Sequence, residues 1–166
     1  MNKALTLLGV DSGSGLPVVD AGGSGSAITL SADGCALQDF VARNSSNDNS
    51  GIRVTSSSNT ITGNTATGNS YYGIYLTSSN GNTISGNTAT GNSVVGIFLD
   101  SSSNVNTITG NTATGNSFLG IYLVYSGSNT ITGNTASSNY YGIVLVYSDS
   151  NTITGNTATG NSDYDI

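Results

Sequence analysis

The sequence has few of the side chains that usually carry out catalysis. It contains no histidine and no glutamate, and only one cysteine, one methionine and one proline in 166 residues. Without histidine, a Ser-His-Asp or Cys-His nucleophile system, an H-E-x-x-H metalloprotease helix and an imidazole metal site are all excluded. Charged residues make up 7% of the chain, against about 25% in a typical soluble domain. The composition therefore argues against most enzyme classes before any motif is considered.

The few charges also limit the partners. Three basic residues against nine acidic ones give a net charge of −6, so no basic patch for nucleic acid is available. No run approaches the roughly 18 apolar residues of a membrane span, and residues 1–10 lack the apolar stretch and cleavage site of a signal peptide. Cys35 cannot form an internal disulfide, and we interpret it as a small buried residue. We predict no nucleic-acid partner, no membrane span and no visible signal peptide.

A repeat of 22 to 24 residues takes up most of the chain. Its first block, N-T-I-x-G-N, begins at Asn59, Asn82, Asn106, Asn129 and Asn151. Its second block, G-I-x-L, begins at Gly73, Gly96, Gly120 and Gly142. Apolar markers equivalent to the Ile of the second block occur at residues 5, 28, 52, 74, 97, 121, 143 and 166. Such regular spacing is typical of a solenoid.

Within each repeat, short segments alternate apolar and polar residues between Gly, Asn and Ser. This period of two predicts short strands, and no segment shows the 3.6-residue period of a helix. We predict an all-β parallel β-helix of about seven coils, with three short strands per coil and the repeated Ile, Leu and Ala pointing inward. The chain is then one domain, residues 1–166, with divergent coils in residues 1–50 and regular repeats in residues 51–166.

The repeated Asn and Gly residues are predicted to form the corners of the coils. Asn tolerates corner geometry and bonds to neighbouring main chain, so two Asn columns are expected to pass hydrogen bonds from coil to coil. These columns begin at Asn64 and Asn69. The Gly after Thr62 and the Gly before Ile74 are both interpreted as turn positions with positive φ.

With these N-T-I-x-G-N and G-I-x-L blocks, the chain resembles right-handed parallel β-helix repeat proteins of archaeal and bacterial surfaces. The resemblance covers essentially all of residues 4–166. It implies a right-handed helix and an extracellular or cell-surface location. The same architecture is shared by pectate lyase-like enzymes, periplasmic copper-delivery proteins and adhesins, so the resemblance alone does not select a function.

The sequence has few of the residues that the chemistry of these relatives requires. Copper delivery requires soft or imidazole ligands, and polysaccharide cleavage requires clustered carboxylates. Only Asp11 and Asp33 fall at similar offsets on adjacent coils, and both lie in Gly/Ser turn segments. Arg43 and Arg53 have no acidic cluster beside them in the sequence. We therefore predict no catalytic residue, no cofactor and no metal site, and expect that the protein is not an enzyme.

An aromatic stripe is predicted along the outside of the G-I-x-L strands. Tyr75, Phe98 and Tyr122 share one outward position of the repeat, and Tyr125 and Tyr147 share another. A contiguous apolar stripe usually marks an interface, and these five residues are candidate contacts. The alternative is cross-coil packing that only stabilises one sheet.

The two ends of the solenoid supply further candidate contacts. The chain enters its first coil near Leu5 and Leu7 and stops at Tyr164 and Ile166, with no capping segment in the sequence. Unpaired strand edges favour addition of another copy. We expect these four residues to mediate head-to-tail stacking.

Together these features predict a non-enzymatic extracellular structural protein that assembles with itself into a surface layer or filament. The alternative is a carbohydrate-binding or polysaccharide-processing β-helix module, with surface glycans as partners. A third possibility is ice binding by the Thr arrays around Thr60 and Thr62, which repeat in the regular coils with Ser85 in place of one Thr.

Overall fold

The computed structural model describes residues 3–166, which contain seventeen strands and no helix. The strands are β1 (Thr6–Leu8), β2 (Val18–Asp20), β3 (Ile28–Leu30), β4 (Ala36–Gln38), β5 (Val41–Arg43), β6 (Ser50–Val54), β7 (Thr60–Thr62), β8 (Thr65–Thr67), β9 (Tyr72–Thr77), β10 (Thr83–Ser85), β11 (Thr88–Thr90), β12 (Val95–Asp100), β13 (Thr107–Thr109), β14 (Leu119–Val124), β15 (Thr130–Thr132), β16 (Tyr141–Val146) and β17 (Thr152–Thr154).

The strands form three parallel sheets that run along the solenoid axis. The first sheet contains β1, β4, β7, β10, β13, β15 and β17, and the second contains β2, β5, β8 and β11. Single bridges at Thr112, Thr135 and Thr157 continue the second sheet. The third sheet contains β3, β6, β9, β12, β14 and β16. The predicted all-β parallel solenoid with three strands per coil is confirmed, with about six turns where the markers counted about seven.

The prediction that Leu5 is equivalent to the Ile residues of the third sheet is wrong. Strand β1 pairs with β4 in the first sheet, and Leu7 lies beside Leu37. Strands β4 and β5 are separated only by residues 39 and 40, whereas residues 9–17 form a longer connection between β1 and β2. This loop shifts the register of the first turn. From Ile28 onward, all of the predicted markers through residue 143 lie side by side in the third sheet.

The inward side chains fill the solenoid with one apolar residue above another. Ile61 lies between Leu37 and Ile84 in the first sheet, and Ala66 lies between Ala42 and Ala89 in the second. The large fully buried side chains are Leu30, Leu37, Ile52, Ile61, Ile74, Leu76, Ile84, Ile97, Leu99, Ile108, Ile121 and Leu123. The inward pattern read from the period-two segments is therefore confirmed, and its burial drives folding.

Asparagines that are buried in every turn but the last stack in three columns, one at each corner of the coil. The columns are Asn59, Asn82, Asn106, Asn129 and Asn151; Asn64, Asn87, Asn111, Asn134 and Asn156; and Asn69, Asn92, Asn116, Asn139 and Asn161. Asn87 Oδ1 accepts hydrogen bonds from Asn64 N at 2.9 Å and Asn64 Nδ2 at 3.1 Å. Asn87 Nδ2 in turn donates to Ile61 O and Asn111 Oδ1. The two predicted ladders are confirmed, and the column starting at Asn59 is a third that the sequence did not predict.

Cys35, Phe40 and Ser45 occupy the ladder positions in the turn before the first Asn of each column. Their backbone N–H groups donate to the Oδ1 atoms of Asn59, Asn64 and Asn69 at 2.8, 3.1 and 3.2 Å. The Cys35 thiol contacts the carbonyl of Ala32 at 3.2 Å and the residue is 1% exposed. Cys35 is therefore a small buried residue, as predicted.

The repeated glycines have two different roles. Gly63 has a φ of 64°, as predicted for a turn. The prediction of positive φ for Gly73 is wrong, because it lies within β9. A Cβ on the equivalent Gly96 would lie 2.7 Å from Asn116 Nδ2 and 2.8 Å from Gly120 O. The glycine before each Ile is thus required because the Asn ladder and the next turn approach the backbone closely.

Replacing Asn87 with alanine is expected to lower the free energy of unfolding by about 2 to 4 kcal/mol, because the Asn64 donors lose their buried acceptor. Denaturant unfolding measures this loss. The matched control Asn47→Ala alters an exposed turn residue and is expected to change stability by less than about 0.5 kcal/mol. Equal losses in the two variants would show that the ladder contributes nothing specific.

The substitution Gly96→Ala is expected to destabilise the fold by about 3 kcal/mol, since the added methyl group has no free space. Gly110→Ala is the comparison, because Gly110 has a φ of 62° and open space around its Cα. That variant should lose only about 1 kcal/mol through backbone strain. Thermal or denaturant unfolding of both variants compares their losses of stability. A larger loss for Gly110→Ala than for Gly96→Ala would contradict the prediction.

Candidate functional site

The outer surface of the third sheet carries a continuous apolar area, which we call the aromatic face. It consists of the outward residues of four neighbouring strands: Tyr72, Val95, Leu119 and Tyr141; Tyr75, Phe98, Tyr122 and Val144; and Val124 and Val146. Parallel pairing in register places each residue directly beside its equivalent in the next turn. The face is therefore a product of the repeat.

The central column of the aromatic face is a stack of rings. Phe98 lies between Tyr75 and Tyr122, with ring centroids 5.1 Å apart on both sides and interplanar angles of 10° and 6°. The Tyr72 ring contacts both Tyr75 and Phe98 at 4.9 Å. Phe98 is only 7% exposed although it points away from the core. The rings thus form a second apolar cluster outside the solenoid.

The later turns of the aromatic face contain a groove of about 360 Å³. It is lined by Phe118, Leu119, Tyr122, Tyr141, Val144, Val146 and Tyr164. Tyr164 extends the face by one turn, because its ring stacks on Tyr141 with a centroid distance of 5.9 Å and an angle of 8°. The face is therefore bulky around Tyr72 and Tyr75 and recessed around Val144.

Charged groups lie at the two ends of the aromatic face. The Arg53 guanidinium lies over the Tyr75 ring, 5.9 Å from its centroid, and its buried Nε has no hydrogen-bond partner. At the other end, the Asp163 carboxylate lies beside the Tyr141 hydroxyl. Between them, Asp100 accepts a hydrogen bond from the Tyr75 hydroxyl at 3.2 Å. Asp48 also lies near Tyr72, so the first turns carry charges of both signs and the later turns carry carboxylates.

The tyrosines of the aromatic face remain neutral at physiological pH. Burial raises the pKa of Tyr72, Tyr75 and Tyr122 above its ordinary value, and the Asp100 charge adds to the effect at all three residues. A phenol that loses its proton here would place a negative charge in an apolar surrounding. The phenols therefore add no charge to the face, and the charge in its middle is that of Asp100.

Tyr125 and Tyr147 form a separate stack, immediately after the ends of β14 and β16. Their rings are 5.1 Å apart at an angle of 7°, and their side chains are 59% and 74% exposed. Both residues have positive φ, 48° and 49°. They border an open groove of about 560 Å³ that also includes Asn104 and Asp149. The structure therefore separates these two tyrosines from the central column of the aromatic face.

The predicted end contacts lie in the first and last turns. Leu5 and Leu7 are 49% and 38% exposed, and Tyr164 and Ile166 are 65% and 66% exposed. Leu7 is an inward residue of the first sheet, paired on one side with Leu37. Of the four, Tyr164 is the residue that the structure places on the aromatic face.

Asp11 and Asp33, the two carboxylates at similar offsets of adjacent coils in the sequence, both accept hydrogen bonds from backbone N–H groups. Asp11 accepts hydrogen bonds from Gly13 N and Gly15 N at 2.7 and 2.9 Å, which lowers its pKa, while Asp33 accepts one from Ser57 N. The two carboxylates thus bind different backbone N–H groups. Within residues 3–166, no group of three or more acidic, Cys or His side chains is arranged to hold a metal ion. In the same residues, no helix is long and apolar enough to cross a membrane.

Sequence spacing places Arg53 at the same outward position as Tyr75, and the strand pairing confirms it, but sequence reasoning did not identify Val95 as part of this surface. Strict alternation in β9 would place Tyr72 inward, because Tyr72 and Tyr75 are three residues apart. The strand pairing passes over Gly73 and Gly96, so the alternation begins only at the following Ile. The repeated Gly at the strand entrance is the signal that could have revealed this shift.

Raising the pH above about 10, the ordinary pKa of tyrosine, is expected to destabilise the protein. The folded state raises the pKa of Tyr72, Tyr75 and Tyr122, so their stabilising effect is complete below that pH and disappears as the folded state ionises. Denaturant unfolding at several alkaline pH values measures this loss of stability. The triple variant with Phe at these positions should lose less stability, whereas Tyr147→Phe should behave as wild type. An identical pH dependence in all three proteins would contradict the assignment.

Comparison with known proteins identifies the architecture. The solved structure of the Azotobacter vinelandii mannuronan C-5 epimerase AlgE6 A-module is similar, with a TM-score of 0.65 and 16% sequence identity. The alignment covers 98% of this chain and 56% of that one, and at this identity it shows the fold alone. No curated protein matches. A family model described as "Right handed beta helix region" matches residues 24–166. The chain therefore belongs to the right-handed β-helix family.

Proposed function

We propose that this protein is a non-enzymatic structural β-solenoid that associates with further copies of itself through the aromatic face. The observation that carries the proposal is the apolar cluster outside the core. Val95, Phe98 and Leu119 point outward, yet they are at most 7% exposed because neighbouring rings cover them. The core inside the solenoid is complete without them, and the partly buried residues that cover them form an extended apolar surface of the kind that marks an interface.

The size of the aromatic face supports this proposal. Its six-residue strands span about 20 Å, and the turns from Tyr72 to Tyr164 span about 20 Å along the axis. Two such faces in contact bury roughly 800 to 1,000 Å² in total, which is below the area of stable interfaces and in the range of weak, transient ones. We therefore expect a weak, reversible association rather than a permanent one.

The local roles of the carboxylates support a non-enzymatic function. Asp20 forms an ion pair with Arg43 at 2.9 Å and accepts hydrogen bonds from Asn44 Nδ2. Asp165 accepts hydrogen bonds from both the N–H and the Nδ2 of Asn161. A general acid or base must instead face a substrate. These side chains hold turns and ladder ends in place.

The extracellular or cell-surface location and the axial contact are part of the same proposal. The location is supported by the resemblance of the repeat blocks to surface β-helix proteins. End-to-end stacking through Leu7 and Ile166 would extend a lateral assembly along its axis. The lateral contact does not depend on the ends of the chain, and we base the test on it.

A polysaccharide-binding module is the second candidate. It is supported by the exposed Tyr125 and Tyr147 rings beside Asn104 and Asp149, and by the fold shared with the epimerase module. The central column of the aromatic face suits this role less well, since Phe98 has neighbouring rings on both faces. A sugar that packs on an aromatic ring needs a free face.

The substitution Val144→Lys is expected to weaken self-association at least 10-fold, because it buries an unpaired charge in the interface. Sedimentation equilibrium measures the dissociation constant. The control Thr130→Lys adds the same charge on the exposed outer side of the first sheet and should associate as wild type does. A wild-type monomer at high concentration would refute the proposal. If that monomer bound mannuronan and Tyr147→Ala abolished binding, the second candidate would be favoured.

A further inference from the structure

We infer that the Asn80-Gly81 peptide is a site of spontaneous covalent modification in the folded protein. At this site the Asn80 side-chain amide is converted through a cyclic imide into aspartate or isoaspartate, with release of ammonia. The inference is independent of the proposed self-association, because the turn after β9 lies outside the aromatic face. It is carried by the sequence of this turn, the exposure of Asn80 and the hydrogen bonds of its side chain.

The turn after β9 contains the one Asn-Gly pair in the sequence. Imide formation requires the backbone nitrogen of the following residue to reach the side-chain carbonyl carbon, Cγ, and a glycine has no side chain to hinder this approach. Gly81 has a φ of 64°, and the atom nearest to a Cβ built on it is Ser58 Oγ at 3.9 Å. The surroundings of the attacking nitrogen are therefore open.

The reaction consumes water and needs no other reactant. Gly81 N gives up its proton and bonds to Asn80 Cγ, the Cγ–Nδ2 bond breaks, and Nδ2 leaves as ammonia with that proton. Water then opens the imide. Cleavage between Gly81 N and Cγ gives aspartate, whereas cleavage between Gly81 N and the Asn80 backbone carbonyl carbon gives isoaspartate, in which the main chain runs through Cγ. In sum, an amide and water become a carboxylate and ammonium.

The Asn80 side chain is exposed and its carbonyl group is polarised. Its Oδ1 accepts a hydrogen bond from Asn104 N at 2.7 Å, which makes Cγ more electrophilic. None of the hydrogen bonds found within residues 3–166 uses its Nδ2, so the leaving group is free. The Gly81 N–H donates to Asn104 O at 3.2 Å, and this bond must open before the attack. Local opening requires little free energy at an exposed turn.

The asparagines of the three buried ladders are protected from the same reaction. Asn87 Oδ1 accepts hydrogen bonds from Asn64 N and Nδ2. Asn87 Nδ2 donates to Ile61 O and Asn111 Oδ1. Attack on its Cγ would require these bonds to break inside the solenoid, and every ladder Asn is followed by Thr, Ser or Tyr rather than Gly. Asn80 is therefore the asparagine that is expected to react first.

Asn80 belongs to an outer ladder, which runs along the turns that follow the strands of the third sheet. In this ladder, each side-chain oxygen accepts the backbone N–H of the equivalent residue in the next turn, at 2.6 to 3.1 Å. The accepting residues are Asp33, Ser57, Asn80 and Asn104. The Asp33 carboxylate already fills this role for Ser57 N. The aspartate product at Asn80 therefore fits the outer ladder without rearrangement.

The isoaspartate product does not fit the stack of turns. It adds a methylene group to the main chain, whereas every turn must remain in register with its neighbours. Asn82 follows two residues later, and its Oδ1 accepts hydrogen bonds from Asn59 N and Nδ2, both at 2.8 Å. A displacement of Asn82 disrupts this buried ladder. Modification of an exposed turn thus reaches the interior, and the isoaspartate form marks aged molecules.

Incubation of the native protein at mildly alkaline pH, followed by peptide mapping with mass spectrometry, tests the site. Conversion at Asn80 is expected to be at least about 10-fold faster than at any ladder Asn, because a ladder residue reacts only after wider unfolding. The control Asn80→Ser keeps an oxygen acceptor, as Ser57 does in the outer ladder, and should form no isoaspartate in this turn. Earlier conversion at another Asn would overturn the inference. A native protein that stays unmodified while a synthetic peptide of residues 76–84 reacts would also overturn it.

A stability measurement distinguishes the two products. Asn80→Asp supplies the aspartate product directly and is expected to unfold at the same denaturant concentration as the wild type. The isoaspartate form, isolated by chromatography and identified by enzymatic methylation of its carboxylate, is expected to unfold at a lower concentration. If Asn80→Asp is destabilised as much as the isoaspartate form, the outer ladder does not accept a carboxylate at this position and the inferred difference between the products is wrong.

Discussion

The structure depends on one constraint, the stacking of every turn on the preceding one in register at about 4.8 Å. Each residue of the repeat therefore contacts the equivalent residue in the next turn. A side chain is tolerated only if identical side chains stacked in a column are stable. Asn satisfies this condition because its amide both donates and accepts, as Asn87 does between Asn64 and Asn111. A column of like charges would repel itself at every step, which explains why so few charged residues occur in the repeats.

The same constraint couples the corner of the coil to its outer surface. The Asn116 amide and the Gly120 carbonyl approach Gly96 so closely that a side chain does not fit there. The chain therefore enters each strand of the third sheet through a bare backbone position, and the residue before it turns outward. This arrangement gives the third sheet an additional outer column, from Tyr72 to Tyr141, beside the column from Tyr75 to Val144. The aromatic face is wide because the Asn ladder requires glycine beside it.

Much of the fold was predictable from the sequence because, when turns stack in register, residues separated by one repeat length are in contact. The markers from Ile28 to Ile143 and two of the three Asn ladders follow directly from repeat length. The first turn was not predictable, since residues 9–17 lengthen one connection and the spacing at Leu5 still matches by coincidence. The role of Gly73 was missed because close approach depends on the neighbouring turn. For the candidate site, spacing identified the ring column and the place of Arg53 beside it, but not Val95 or the unpaired Arg53 Nε, because these depend on how the neighbouring side chains pack.

The positions of the apolar outer residues indicate whether these residues stabilise the fold or mediate association. If outward rings were needed to stabilise the solenoid, they would be expected around all three sheets. Instead, the outer positions of the first sheet are largely Thr, as in β7, β13, β15 and β17, and those of β8 and β11 are Thr as well. These sheets stack equally well without aromatic residues. The rings and the groove occur together on one sheet, and an interface explains both features where internal packing explains only the first.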